Sequence, residues 1–399
     1  MRTGTFAAFR SRDFRLLWIG QTVSFTGDAA FLVAVGWRVT ELGGSLAFVL
    51  AAESLALLTT LLWGGVLADR YPRRRLMISS DVARAAVAGV FVALDASGHL
   101  TTNAVIVLVV FFGLADGFFQ PAFGGIVPLV VEQPLLASAN SWISIARQGS
   151  AILGPALAAG LYDQLGPTTV WAIDGSSFLV SASALWVARP RTVEAEPRQG
   201  VLRELLAGFR YVTSVPWIWS GIGIATFILM VAFAPYTALL PEIVRGHYHR
   251  SVGSYGLLFS LMAAGMVAGS LLYARWNPRR HRVAICFGAF GVNDIGIIAV
   301  AVSPWYRLAT VAVVWRGFFI GIGVSAWLTM LTELVPEGLL SRVLSLDYFG
   351  SFALTPIGFV LAGAAAEVLA PTTVVAVGGA IGLALWFVPL AWREVRTAA

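Results

Sequence analysis

The chain has 399 residues, of which 58% are hydrophobic and only 12% charged, with a formal net charge of +6 and a mean hydropathy of +0.80. So few charges cannot coat a water-facing surface of this size, which excludes a set of soluble domains and makes lipid the implied solvent. All 27 basic residues are arginine, so a Walker A phosphate loop, direct ATP drive through it, and Schiff-base chemistry are excluded as well. The single cysteine, Cys286, forms no internal disulfide, and the four histidines make no HExxH pair or Cys/His ligand set. His247 and His249 beside Glu242 come nearest to a ligand cluster and read as a loop. No metal and no cofactor is expected.

Runs of about 20 apolar residues, the length that crosses a bilayer core of about 30 Å, predict twelve helical spans. They lie near Leu16 to Val39, Ser45 to Ala68, Leu76 to Ala96, Thr102 to Phe119, Ala137 to Tyr162 and Thr168 to Ala188 in the first half. In the second half they lie near Trp217 to Leu240, Val252 to Tyr273, Val283 to Val302, Tyr306 to Met330, Leu344 to Ala366 and Thr372 to Trp392. Helices are required because hydrocarbon offers backbone groups no water, and the runs are too long and too uniformly apolar for barrel strands. Between the halves, Arg189 to Val215 is the long polar stretch, with an amphipathic segment at Arg203 to Tyr211.

Arginine asymmetry orients the chain. With both termini inside, twenty arginines fall in cytoplasmic segments, three (Arg245, Arg250, Arg307) fall outside, and four (Arg38, Arg84, Arg147, Arg316) lie within or at the ends of spans. The first span lacks a cleavage site and reads as a retained helix. Topology and anionic headgroups account for the basic charge, so no nucleic-acid partner is needed.

The sequence also matches itself at an offset of 204. Pro167-Thr168-Thr169-Val170 falls on Pro371-Thr372-Thr373-Val374, Gly154 on Gly358, Gly113 and Gly117 on Gly317 and Gly321, and Gly65 and Arg75 on Gly269 and Arg279. An even-numbered repeat crosses the membrane in the same sense twice. The expected fold is an all-α polytopic membrane protein with twelve transmembrane helices. They form two six-helix bundles, 1 to 188 and 217 to 399, joined by a linker at 189 to 216. A pseudo-two-fold axis along the membrane normal relates the bundles, with a cavity between them.

The loop after the second span reads Gly65-Val66-Leu67-Ala68-Asp69-Arg70-Tyr71-Pro72-Arg73-Arg74-Arg75. It resembles the G-x-L-A-D-R-x-G-R-R-x signature of the major facilitator superfamily, with Pro72 in place of the second glycine, and the resemblance covers essentially the whole chain. It implies a cytoplasmic gate built on Gly65, Asp69, Arg70 and Arg73, with Asp116, placed near the cytoplasmic end of the fourth span, as a further carboxylate of the relay. Ser150 to Ala159, with Gly154-Pro155 at its centre, resembles the antiporter motif g-x-x-x-G-P-x-x-G-G of drug exporters. Small residues there permit close packing, and Pro155 frees a carbonyl and bends the helix. The family's fourth-span arginine is missing: Phe111, Phe112 and Gly113 hold its place, and Arg316-Gly317 sits in the related tenth span.

Ionisable residues inside spans are costly, about 2.5 to 3.5 kcal/mol at the bilayer centre on the insertion scale, and so mark either pairs or function. Asp28, Glu53, Arg147, Asp294 and Arg316 are the candidates for proton coupling or substrate binding. Asp28 leads, because the resemblance turns the first span toward the cavity and a carboxylate taken out of water is a candidate proton carrier. A structural pairing of Asp28 with Arg147 is the competing reading. Asp81 and Arg84, at i and i+3, are expected to pair locally. Aromatic residues crowd the fourth and tenth spans (Phe111, Phe112, Phe118, Phe119; Trp315, Phe318, Phe319, Trp327); they suit either an amphipathic substrate or the lipid interface.

Gln21 to Asp28, Phe119-Gln120-Pro121-Ala122-Phe123 and Ala139-Asn140-Ser141 are similar to the bacterial macrolide-efflux and enterobactin-exporter branch. The resemblance implies a monomeric, proton-coupled exporter of a hydrophobic or amphipathic small molecule, working by alternating access in the bacterial cytoplasmic membrane. Uptake of a small solute and a non-transporting scaffold or receptor are the alternatives. An enzyme is not expected, since no nucleophile, base and orienting group stand together in the sequence.

Overall fold

The computed structural model describes residues 6–191, 201–276, 278–392 and 395, without the side chains at 62, 65–70, 201–205, 207, 337, 338 and 341. Every regular element among the described residues is helical. The first six long helices are α1 (Arg12–Glu41), α2 (Leu46–Arg70), α3 (Arg73–Ala96), α4 (Thr102–Val130), α5 (Leu136–Leu165) and α6 (Pro167–Val187). A shorter α7 (Val201–Ser214) precedes α8 (Pro216–His247), α9 (Val252–Trp276), α10 (Arg282–Val302) and α11 (Tyr306–Leu334). The chain ends with α12 (Glu337–Phe352), α13 (Thr355–Ala366) and α14 (Pro371–Trp386). Among the described residues, ten segments are long and apolar enough to cross a membrane, so this is a multi-pass membrane protein. The helix α2 is apolar over its described stretch Leu46–Leu61, and α5 is the more polar one, carrying Arg147, Gln148 and several serines.

Local chemistry sets the helix ends. Ser11 caps α1 by accepting from the Phe14 amide at 3.2 Å, and Thr101 caps α4 by accepting from Ala104 at 3.3 Å. Gly166, at φ +81°, turns the chain between α5 and α6, and Pro167 starts the next helix where its missing N–H costs nothing.

Three spans differ from expectation. The fourth was expected to stop at Phe119, before Pro121, yet α4 runs through Pro121 and Pro128 to Val130. Asp116 therefore lies at mid-helix instead of near an end. The seventh is a single α8 that widens into π turns at Leu229–Phe233 and Ile243–His247. The eleventh breaks at Ala353 and Leu354 into α12 and α13.

The chain divides into two compact units, Met1–Glu196 with Ser251–Ser260, and Pro197–Arg250 with Leu261–Ala399. The ten residues Ser251–Ser260, at the start of α9, thus belong with unit 1, an assignment that hydropathy alone does not foreshadow. In unit 1 the core joins Phe14 and Leu17 of α1 to Met77 of α3, Phe123 and Ile126 of α4 and Ile143 of α5. At the other end of these helices Arg38 pairs with Asp95 at 2.8 Å and Glu41 at 3.1 Å. Tyr162 donates to Glu41 at 2.7 Å and Thr168 to Asp95 at 2.6 Å, so the ends of α1, α3, α5 and α6 share one network.

The two units repeat a close contact in the same register. In unit 1 a Cβ on Gly154 would stand 2.8 Å from the Thr26 carbonyl oxygen and 2.6 Å from Ala29 Cβ. In unit 2 a Cβ on Gly358 would press on the Met230 carbonyl oxygen and stand 2.9 Å from Ala234 Cβ. Thr26 and Met230 are 204 apart, as are Gly154 and Gly358. The register does not hold throughout: Gly113 rests on the Glu53 carbonyl, whereas Gly317 rests on that of Met262, 209 positions on. Five extra residues therefore enter unit 2 between Met230 and Met262, in the stretch that contains the π turns. The expected match of Gly65 with Gly269 falls on α2 and α9, the helices that carry the 209-residue offset.

Candidate functional site

The densest buried charge in unit 1 is built on α3. Asp81 and Arg84, one turn apart, pair at 2.6 Å through Nη2, with side chains 0% and 2% exposed, as the i, i+3 spacing led one to expect. The second oxygen of Asp81 accepts from Ser181 of α6 at 2.6 Å, and Ser181 in turn accepts from Gln21 of α1 at 2.7 Å. Three helices thus hold Asp81, and both its oxygens are satisfied. A buried carboxylate held in this way is an anchor.

The other arm of Arg84 is held more loosely. Nη1 lies 3.3 Å from Asp116 Oδ1 on α4 and 3.7 Å from Asp28 Oδ1 on α1, the latter beyond hydrogen-bond length. These two carboxylates are partly exposed, at 21% and 33%, although Asp28 Oδ1 itself is buried, while Asp81 stays sealed. Gln120 donates to both oxygens of Asp116 at 3.3 Å. Phenylalanine rings enclose the guanidinium: Phe178 and Phe119 have centroids 4.3 and 4.4 Å from Cζ, and Phe112 lies at 6.0 Å. One guanidinium cannot neutralise three carboxylates. Each uncompensated charge in so apolar a setting is expensive, so the cluster favours further positive charge, from Arg147, which acts on Asp28, or from a proton.

The remaining predicted residues distribute around this centre. Arg147 of α5 lies over the rings of Phe25 and Phe123, at 4.6 and 5.1 Å. Asp28 lies within ion-pair distance of Arg84, and the Arg147 guanidinium also acts on it electrostatically. Ser150 joins α5 to α1 through Thr26 at 2.9 Å and the Thr22 carbonyl at 3.2 Å; Gly154 and Pro155 follow on the same helix. Glu53 is half-buried on α2. Of the expected gate, the side chains of Gly65, Asp69 and Arg70 lie outside the described residues. Arg73 donates to the Gly125 carbonyl, and Asp116 faces Arg84.

Unit 2 holds the other two candidates. Arg316, 3% exposed on α11, lies with Cζ 3.9 Å from the ring centroid of Tyr236 and Nη1 3.1 Å from Met262 Sδ. Asp294, 1% exposed on α10, accepts from Asn293 at 2.8 Å through Oδ1, while Oδ2 has no hydrogen-bond partner among the described residues. The predicted aromatics divide between surfaces. Phe112 and Phe119 enclose Arg84, Phe111 and Trp315 are exposed, and the Trp327 indole donates to Asp347 at 3.0 Å.

Sequence reasoning overlooked Asp174. It is fully buried on α6, and neither oxygen has a hydrogen-bond partner among the described residues. Its signal was available, since an aspartate inside an apolar run is conspicuous on cost alone.

The family model for the transmembrane secretion effector, a branch of the major facilitator superfamily, matches residues 3–397. Macrolide efflux protein A of Streptococcus pyogenes is 24% identical over 374 residues, covering 89% of each chain. Enterobactin exporter EntS of Citrobacter koseri is 24% identical over 377 residues, covering 92% of this chain and 88% of that one. Among solved structures, the nucleoside transporter NupG superposes with a TM-score of 0.76 at 10% identity, covering 95% of this chain and 99% of that one. A bacterial homologue of the iron transporter ferroportin, in its inward-facing state, superposes with a TM-score of 0.70 at 15% identity, covering 96% and 99%. With its match running nearly end to end, this chain belongs to the transmembrane secretion effector family of major facilitator transporters.

Proposed function

We propose that the protein is a proton-coupled exporter of a hydrophobic or amphipathic small molecule in the bacterial cytoplasmic membrane. It has both termini inside and two six-helix bundles that give alternating access. The observation that carries the reading is the surplus of carboxylate around Arg84. Asp81 holds one arm of the guanidinium, and the other arm chooses between Asp28 and Asp116, both partly exposed. A proton arriving on Asp28 releases Arg84 toward Asp116; loss of that proton draws it back. Such a switch biases two orientations only by the difference in proton affinity between them. The gate residues Gly65, Asp69, Arg70 and Arg73, and the α5 motif at Ser150, Gly154 and Pro155, belong to the same proposal as the moving parts. Glu53, Arg147, Asp294 and Arg316 are assigned to the substrate path or to further coupling.

The efflux names of the relatives set the direction and the first substrates to try, a macrolide and the catecholate siderophore enterobactin. The decisive experiment reconstitutes the full chain in proteoliposomes, imposes a pH gradient and follows uphill movement of each compound together with proton counterflow. Substrate accumulation without proton movement refutes the coupling, and movement in the uptake direction alone refutes export.

A further inference from the structure

The helices α5 and α6 diverge over α1 and leave a groove of about 660 Å³ within unit 1. Its sides carry the exposed apolar residues Leu157, Ile173 and Val180, and its floor carries Thr26, Gly27 and Ser177. Gly27 is the sixteenth of thirty residues in α1, and Asp174 is the eighth of twenty-one in α6. The floor is therefore near mid-membrane, where exposed leucine, isoleucine and valine meet acyl chains.

Beneath that floor the polar groups are unsatisfied. A Cβ on Gly27 would stand 2.5 Å from Asp174 Oδ1 and 2.5 Å from Ser177 Oγ. Since Gly27 and Ser177 both line the groove, the Asp174 carboxylate is one atomic layer behind it. Both oxygens of Asp174 and the hydroxyl of Ser177 lack hydrogen-bond partners among the described residues, and both residues are more than nine-tenths buried. Arg84 and the Ser177 hydroxyl act on this carboxylate without closing a hydrogen bond to it, and in such surroundings it calls for a proton or a further cation. Asp28, next in sequence to Gly27, adds a second negative charge on α1. An acyl chain would fill the groove and leave Asp174 unanswered, and a phospholipid headgroup does not descend to this depth.

The geometry points to a membrane-accessible binding site for a lipophilic amine in its ammonium form. The hydrocarbon body lies between Leu157 and Val180, and the N–H groups reach Asp174 and Ser177 beside Gly27. With no side chain on Gly27, only its backbone stands between the groove and Asp174, and a ligand must displace that backbone slightly to reach the carboxylate. This site borders the Arg84 cluster, whose Asp28 and Arg84 act on Asp174, but takes its ligand from the bilayer, so its occupancy is measured without any transport step.

The test uses the full chain in lipid nanodiscs and dodecylamine carrying a diazirine on its chain, with the corresponding dodecanol and dodecanoic acid as comparators. Photolysis and peptide mapping should place the amine on α5 and α6 around Leu157, Ile173 and Val180, with weak labelling by the other two. Asp174→Asn should lower amine labelling by at least about tenfold, the scale of one lost buried charge pair. Leu157→Trp, which fills the groove without touching the carboxylate, should lower it comparably. Equal labelling by all three probes, or undiminished labelling of Asp174→Asn, overturns the assignment. Should Asp174→Asn fail to fold, undiminished labelling of Leu157→Trp does the same.

Discussion

Each unit buries an arginine among aromatic rings, and the two are neutralised in different ways. In unit 1 Arg84 faces Asp81, Asp28 and Asp116 within 3.7 Å. In unit 2 Arg316 has a tyrosine ring and a thioether, and no carboxylate among the described residues comes within ion-pair distance. The 204-residue register sharpens the contrast, because it sets Phe112 opposite Arg316. The arginine of unit 1 comes instead from α3 and lies 6.0 Å from the Phe112 ring. One scaffold used twice therefore carries two electrostatic devices. Under the proposed function a guanidinium oversupplied with acids changes partner when a proton arrives, whereas Arg316 is held by a ring, with Asp294 acting on it from beyond ion-pair distance.

Truncating both arginines should break the symmetry most clearly. Arg84→Met strands three carboxylates in apolar surroundings and should cost about 3 to 5 kcal/mol, with loss of measurable transport. Arg316→Met forgoes a buried cation–π contact and should cost about 2 kcal/mol. Thermal unfolding of the two variants in one detergent gives the comparison directly, and equal losses would show that the carboxylates around Arg84 are not what distinguishes the units.

The next expected effects fall inside the cluster. Asp81→Asn removes the anchor, leaves Ser181 and Gln21 misdirected, and should destabilise by about 3 kcal/mol, as breaking a buried pair does. Asp28→Asn, at the looser and more exposed position, should fold, carry substrate downhill and lose accumulation driven by a pH gradient. Calorimetry separates them on stability and proteoliposome flux on coupling. Normal proton-driven uptake into vesicles by a well-folded Asp28→Asn protein would remove Asp28 from the mechanism.

Two smaller changes test what the units share. Gly154→Val and Gly358→Val intrude on the corresponding carbonyls of Thr26 and Met230, and each should cost about 1 to 3 kcal/mol through overpacking. A large inequality between them would mean that the repeated contact is not equally demanding in the two units. Ser181→Ala withdraws one hydrogen bond from Asp81 and should cost about 1 to 2 kcal/mol. Its flux should remain coupled, since Arg84 keeps all three acidic partners.

Hydropathy and spacing located helices within a few residues because crossing a bilayer requires a long apolar run, a local property. They also paired Asp81 with Arg84, since residues at i and i+3 share a helix face whatever surrounds them. The 204-residue match identified Gly154 and Gly358 because a helix crossing that admits no Cβ is written in the sequence as glycine. The fourth span is longer than its expected Thr102 to Phe119, because packing holds α4 together through Pro121 and Pro128 to Val130.

The convergence of Asp28 and Asp116 on Arg84 was decided by the tertiary structure alone. Those residues lie on three helices, and whether their side chains meet depends on how each helix is rotated and how deep it sits. Rotation and depth follow from close contacts such as Gly154 on α1 and Gly113 on α2, which composition does not reveal. The same reason explains Asp174: its sequence shows an expensive residue, and only the packing of α6 against Gly27 shows that it stands unpaired behind a groove.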